Sequence, residues 1–152
     1  MNTTRNNKGF SLVELIVVIA IMAVLMGILA PTLIGNIEKS RESKDLTNLD
    51  TMRQAVVAAI AVEEIYFSAI PSNSADVRTY NVTQSGLDGA SANLNSAFND
   101  AIRGESAMTS ASGLSGTLQV KIKGDGAVEC GVYDAAGSAV TAARNNVPMV
   151  SK

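Results

Sequence analysis

A single carboxylate, Glu14, stands at the head of a long apolar segment that reads KGFSLVELIVVIAIMAVLMGILAP. An ionisable group inside such a segment is costly, and by default it marks a functional site that has a partner. The basic residues Arg5 and Lys8 precede the segment, and Gly9 and Phe10 join the two parts. The chemistry to explain is therefore an isolated acid about one helical turn beyond a short basic N-terminus.

No charged residue occurs from Leu15 to Ile37. A helix over this stretch is about 35 Å long, which is enough to cross a bilayer core of about 30 Å. The basic residues in front favour a single-pass membrane protein with a cytoplasmic N-terminus. A cleaved secretory signal would be shorter and end in small residues, which this run does not. A permanent signal anchor carrying a surface binding module explains the length but leaves Glu14 unexplained.

The composition argues against catalysis and against cofactor or metal binding. The chain has 12 basic and 14 acidic residues, no histidine and one cysteine. The near-neutral balance makes nucleic acid an unlikely partner, although it does not exclude one. The cysteine count rules out an internal disulfide and a Cys/His metal cluster, and Cys130 is expected to be a buried apolar side chain. No nucleophile–base pair, phosphate loop or dinucleotide fingerprint occurs, so we predict that the protein is not an enzyme.

Lys8, Gly9 and Phe10 stand in this order, Glu14 is the fifth residue counted from Phe10, and the uncharged run follows. This pattern resembles the N-terminus of type IV prepilins and pseudopilins. In that superfamily it forms a class III signal peptide and an assembly helix. The resemblance implies that a prepilin peptidase removes residues 1–9 by cutting after Gly9. It also implies that the same enzyme methylates the new amino group of Phe10, and that an inner-membrane assembly platform builds the subunits into a helical homopolymer.

Processing of this kind would create an ammonium group on Phe10, one helical turn from Glu14. In a filament, Glu14 of one subunit can pair with the Phe10 amine of a neighbouring subunit. A partner in the same chain is also geometrically allowed, because positions four apart are helix neighbours. The sequence does not rank these two arrangements. Since an unpaired buried charge costs about 3–5 kcal/mol, the pair is expected to fix the register of assembly.

Helix-weakening residues interrupt the apolar run at Gly27, Pro31 and Gly35. Proline removes a helical hydrogen bond, and glycine lowers helix propensity. This spacing predicts a softened stretch, which is either a tolerated kink or a point of local unwinding during assembly.

The segment 38–53 holds eight charged residues, four of each sign. Lys39 with Glu42 and Arg41 with Asp45 are spaced for pairs along a helix, so we predict a mostly solvated face. An apolar stripe follows at Leu49, Met52, Val56 and Ile60, with Phe67 one heptad further. These patterns predict one helix from about Phe10 to Ser68. Residues 10–37 form its membrane or assembly part, and residues 38–68 form an amphipathic continuation.

Residues 69–152 are predicted to form a globular head. It begins with a connecting loop containing a short strand at 78–83. A short helix follows, with one apolar face and a stop at Gly104; the face consists of Leu94, Phe98, Ala101 and Ile102. TLQVKIKGDGAVECGVYD predicts a hairpin with Cys130 facing inward, and SAVTAAR predicts a third strand. The fold class is therefore α+β, with a long N-terminal helix and a small antiparallel sheet of about three strands over the apolar stripe.

Two local patterns in the head carry weaker functional hypotheses. Asp125, Glu129 and Asp134 could offer oxygens to calcium, but their spacing fits no known loop and favours solvated turn residues. Asn81 begins a glycosylation sequon. The main functional hypothesis is a type IV pilus subunit that leaves the membrane for an extracellular fibre. The alternatives are a pseudopilin of a type II secretion or DNA-uptake system, within an envelope-spanning pseudopilus, and the signal-anchored binding module.

Overall fold

The computed structural model of the protein describes residues 10–102 and 108–152, and the chain forms two units that meet between Ile37 and Glu38. Helix α1 spans Leu12–Ile60. The predicted leader 1–9, including the cleavage residue Gly9, and the predicted helix stop at Gly104 lie outside the described residues.

The first unit consists of the apolar part of α1. Large hydrophobic side chains are exposed along the whole of this helical segment, including Leu15, Ile21 and Leu29. An 18-residue window within α1 has a mean hydropathy of 3.0, and none of that window is buried. By length and composition the helix can cross a membrane. Exposed apolar area of this extent needs a lipid or protein cover.

The second unit, Glu38–Lys152, contains the rest of α1 and a five-stranded antiparallel sheet. The strands are β1 (Val77–Thr83), β2 (Gly86–Leu87), β3 (Thr117–Lys123), β4 (Val128–Tyr133) and β5 (Val150–Ser151), in the spatial order β2-β1-β3-β4-β5. Three shorter helices complete the unit: α2 (Glu63–Ala69), α3 (Ala92–Ile102) and α4 (Ala111–Leu114). The α+β class and the helix-then-sheet order are confirmed.

The apolar stripe of α1 is buried as predicted. Leu49, Met52 and Val56 have no exposed surface, and Ile60 is 7% exposed. They belong to one core cluster with the inward side chains of β3 and β4, such as Val120 and Cys130. At about 25 cal/mol per Å², burial of each large aliphatic side chain contributes about 1.5–3 kcal/mol. The stripe therefore anchors the sheet to the helix.

The predicted continuous helix to Ser68 is wrong. Helix α1 ends at Ile60, Val62 is extended with φ −80° and ψ 123°, and α2 starts at Glu63. Two acids in the first turn suit the positive end of a new helix dipole, so Glu63 and Glu64 favour a restart here. Because the break shifts the helical phase, Phe67 leaves the stripe and is 75% exposed.

The predicted hairpin is confirmed, with Thr117 opposite Tyr133 and Ile122 opposite Val128. The short strand predicted in the connecting loop is also present, as β1, and it pairs with β3. The predicted third strand SAVTAAR is wrong: its residues form isolated bridges, Tyr133 with Ala139 and Thr141 with Pro148. Strand β1 occupies the free edge of β3, so the sheet gains its third long strand from the N-terminal side of the hairpin.

The short helix of the head is α3, and three of its predicted core residues are buried. Leu94 and Phe98 have no exposed surface, and Ile102 is 6% exposed. The fourth, Ala101, is exposed, which corrects the predicted face. Residues 94, 98 and 102 recur every four positions, which is the spacing of a single buried ridge.

Candidate functional site

Glu14 closes the N-terminus of its own helix. The backbone N–H of Ser11 donates a hydrogen bond of 2.9 Å to Oε2 of Glu14, three residues later. Ser11 directly precedes α1, so Glu14 is its third helical residue. This is the reaching-back half of a capping box, which satisfies one N–H that the helix leaves unpaired. The S-x-x-E pattern in SLVE is the signal that sequence reasoning missed.

Phe10 and Glu14 are four positions apart, and the carboxylate of Glu14 accepts its hydrogen bond from Ser11. Phe10 is 83% exposed and lies outside the helix. Phe10 therefore directly precedes the helix cap at Ser11. The pairing of Glu14 with a Phe10 amine, in its own chain or in a neighbour, stays a prediction.

The three residues predicted to soften the helix lie inside α1. The helix continues through Gly27, Pro31 and Gly35 without interruption. A Cβ atom built on Gly27 would meet nothing within 4 Å. The glycine is therefore not required by close packing within this chain, and the softened stretch stays a prediction.

The second unit contains a buried carboxylate that the sequence did not reveal. Glu42 has no exposed surface. Its Oε1 accepts hydrogen bonds from the Ser112 hydroxyl at 3.1 Å and the Arg144 N–H at 3.0 Å. Its Oε2 accepts from the Arg144 and Asn145 N–H groups at 3.1 and 2.8 Å. Donors from α4 and from the loop at 144–145 therefore replace water around this acid.

Asp45, one helical turn later, is buried in the same way. Its carboxylate accepts the backbone N–H groups of Thr109 and Ser110 at 2.8–3.0 Å. It also accepts the hydroxyl groups of the same two residues, at 3.0 and 2.6 Å. Glu38 continues this face by accepting the N–H of Ala111. Hydrogen bonds to a charged acceptor each contribute about 1.5–3 kcal/mol.

These contacts correct the predicted solvated face. Lys39 does not pair with Glu42, and Arg41 does not pair with Asp45. Instead, Nη1 of Arg41 lies 3.7 Å from Oε2 of Glu38. A signal was available, because positions 38, 42 and 45 continue the spacing of the stripe that starts at 49. The face of α1 that packs on the head therefore begins with the half-buried Glu38 and the buried Glu42 and Asp45 before it becomes apolar.

Asp50 fixes the C-terminal end of the chain to α1. Its Oδ1 accepts a hydrogen bond of 2.9 Å from the Ser151 hydroxyl and lies 3.1 Å from Nη2 of Arg53. The Ser151 hydrogen bond, followed by that of Arg53, lowers the pKa of the Asp50 carboxyl from its ordinary value. Four acids of α1 therefore hold head segments that are distant in sequence.

The other candidate residues have local partners. Asp125 and Asp134 accept backbone N–H groups in their own turns, and Glu129 forms a 2.9 Å ion pair with Lys123. Within residues 10–102 and 108–152, no three acidic, cysteine or histidine side chains converge as a metal site. The sequon residue Asn81 is exposed in β1 and accepts a hydrogen bond from Gln119.

Cys130 is buried, as predicted, and its chemistry follows from that burial. The side chain has no exposed surface. Burial raises the pKa of the thiol to about 12, because a thiolate would lose its hydration. Cys130 is therefore a packed apolar side chain with low reactivity.

Comparison with known proteins supports the N-terminal chemistry. The prokaryotic N-terminal methylation motif matches residues 4–30. Two curated relatives, each named type II secretion system core protein G, come from Escherichia coli and Vibrio cholerae serotype O1. They are 36% and 34% identical to this chain over 56 residues. The N-terminal part of the chain therefore matches that of the type IV pilin and pseudopilin superfamily.

The superfamily match covers only part of the protein. Each alignment includes 37% of this chain and 39% or 38% of the relative, so well under half of either relative is spanned. No solved structure matches the chain. The methylation motif covers both Phe10 and Glu14.

Proposed function

We propose that the protein is the structural subunit of a type IV pilus. The observation that carries this proposal is a methylation motif at the start of a helix whose apolar N-terminal part is uncovered. In this proposal a prepilin peptidase cuts after Gly9 and methylates Phe10. The subunit first rests in the membrane with its N-terminus in the cytoplasm. An assembly platform then moves it into an extracellular filament, where neighbouring helices replace lipid.

Glu14 supports assembly through a change of partner. In the unassembled chain its carboxylate holds the Ser11 N–H. In a filament the methylated ammonium of a neighbouring Phe10 offers a full positive charge, and a charge-assisted bond is about twice as strong as a neutral one. A misplaced subunit would leave the carboxylate without that cation in an apolar surrounding, at a cost of several kcal/mol. The proposed role of Glu14 is therefore to select the correct register.

A pseudopilin of a type II secretion system is the second candidate. It is favoured by the printed names of the relatives, both of which are secretion-system proteins. The uncovered helix and its methylation motif support polymerisation in either setting. Neither candidate involves catalysis by this chain.

Mass spectrometry of the mature protein tests the processing step. The expected N-terminus is Phe10 carrying one methyl group, with residues 1–9 removed. An unmethylated chain that still begins at Met1 in sheared surface filaments would contradict the proposal.

Replacement of Glu14 by alanine tests assembly. We expect the variant to reach the membrane but to yield few or no filaments, because the register pair is lost. Asp100→Ala is the matched control, since Asp100 is an exposed helical carboxylate without a hydrogen bond or ion pair among the described residues. A binding module that is only tethered would be displayed equally well by both variants. Filaments in surface shear fractions favour the pilus, whereas loss of protein secretion without surface filaments favours the pseudopilus.

A further inference from the structure

The burial of Glu42 and Asp45 changes the charge that α1 presents to solvent. Around these residues the sequence balances cations and anions, but the two carboxylates face inward. Lys39 and Lys44 are exposed, and neither ammonium has a hydrogen bond or ion pair within the described chain. The solvent-facing side of this segment therefore carries unpaired positive charge. Lys39 and Lys44 are five positions apart, so they lie on the two flanks of this side, about 140° from one another around the helix. We call this solvent-facing side, with Lys39 on one flank and Lys44 on the other, the cationic face.

An exposed acid without a partner in the described chain lies just beyond the end of α1. The exposed residues of α2 and its cap form an acidic and aromatic surface, which we call the α2 surface: Val62, Glu63, Tyr66 and Phe67. Phe67 is 75% exposed, more than any other large apolar side chain described in the second unit, and its ring contacts Tyr66 edge to face at 5.8 Å. Glu63 is exposed and has no partner within residues 10–102 and 108–152, whereas Glu64 is held by Asn93.

These two surfaces cannot meet within one molecule. Sixteen residues separate Lys44 from the end of α1 at Ile60, which is about 24 Å along the helix. An ion pair requires the charged atoms within about 4 Å of one another. A contact between the cationic face and the α2 surface therefore needs two copies of the chain.

We propose that the α2 surface of one subunit docks on the cationic face of a second copy. This inference rests on the proposed function, because it supplies a contact between heads in the filament. Glu63 would pair with Lys44 on one flank of this face, and the rings of Tyr66 and Phe67 would pack against the stem and ammonium group of the same lysine. Because the two surfaces differ, the contact is heterologous, and a heterologous contact that does not close into a ring propagates into an open helical polymer.

An anionic lipid surface is the competing occupant of the cationic face. Lipid headgroups would explain Lys39 and Lys44 alone. They leave the unpaired Glu63 and the exposed rings unexplained, and those groups are what a cation prefers as neighbours. A second copy accounts for both surfaces at once.

Charge reversal in the full-length chain tests the proposal. Lys44→Glu and Glu63→Lys should each lower the yield of sheared filaments about fivefold, because repulsion replaces an exposed attraction worth up to about 1 kcal/mol. The double variant Lys44→Glu/Glu63→Lys should restore the yield, since every contact regains opposite charges. Weakening of α2 by the new lysine could not be rescued by a change at position 44.

Each remaining outcome has a defined meaning. If wild-type chains form no filaments, the proposed function fails. If wild-type filaments form and neither reversal changes their yield, or if the double variant is no better than the single ones, the docking contact is refuted. Loss with Lys44→Glu alone, without loss from Glu63→Lys, would identify lipid as the occupant.

Cross-linking adds a direct readout. Lys44→Cys/Glu63→Cys chains should give a ladder of covalent oligomers in oxidised filaments, whereas either single variant should give none. The native Cys130 is fully buried and contributes no cross-link. Absence of the ladder in filaments of the double-cysteine chain would contradict the contact.

Discussion

The carboxylate of Glu42 is expected to be one of the main supports of the head. Glu42→Ala removes the acceptor for the N–H groups of Arg144 and Asn145 and for the Ser112 hydroxyl. Each bond to a charged acceptor contributes about 1.5–3 kcal/mol, and each buried donor left unpaired costs about 1–3 kcal/mol. These terms overlap, so we expect a loss of about 3–5 kcal/mol. This is a large fraction of the 5–15 kcal/mol that stabilises a typical domain.

The buried thiol of Cys130 provides the assay. In detergent micelles at pH 8, the alkylation rate of the full-length chain reports how often the head opens. A loss of 3 kcal/mol in the free energy of unfolding should speed alkylation by about two orders of magnitude. Hydrogen exchange should rise most in residues 108–115 and 139–149, which supply the donors. Glu42→Gln keeps the size and one acceptor, so its effect should be smaller.

Asp100→Ala is the control, because it removes an exposed acid without a hydrogen bond or ion pair in the described chain. Its alkylation rate should match the wild-type rate. If Glu42→Ala also alkylates at the wild-type rate, then Glu42 does not hold α4 and the loop at 144–145 in place.

Two further predictions concern the thiol and a tight turn. Because burial raises the pKa of Cys130 to about 12, from 9.0, the unfolded chain loses this proton first as the pH rises. The contribution of the neutral Cys130 thiol to stability is therefore complete below about pH 9 and is lost as the pH approaches about 12. Urea titrations should show that the free energy of unfolding falls over this pH window. In Cys130→Ala the free energy of unfolding should fall less steeply with pH. In Gly124→Ala, the new Cβ would overlap the backbone carbonyl of Asn73, so the sheet should lose about 1–3 kcal/mol by the alkylation assay. In Gly27→Ala, where the Cβ meets nothing within 4 Å, alkylation should be unchanged; equal rates for the two glycine variants would contradict the steric reason.

The sequence by itself determined the features that depend on local spacing. The uncharged run after Glu14 specifies an apolar helix whatever the rest of the chain does, because its length and composition suffice. The stripe at Leu49, Met52 and Val56 specified a buried helix face, since one helical period brings these side chains together. Alternation in β3 and β4 specified the hairpin and the inward position of Cys130 for the same reason.

Only the tertiary structure decided which way the charged residues of α1 face. Glu42 and Asp45 are buried because donors arrive from positions 64–103 residues later in the chain, and no local pattern shows that those N–H groups will be free. The third long strand depended likewise on which segment pairs with the free edge of β3, and in the structure that segment is β1. Phe67 left the predicted stripe because the helix breaks at Val62, which changes the direction of every later side chain. Local periodicity fixes which helix and strand faces are apolar, whereas long-range hydrogen bonds decide which polar side chains are buried and which stay exposed.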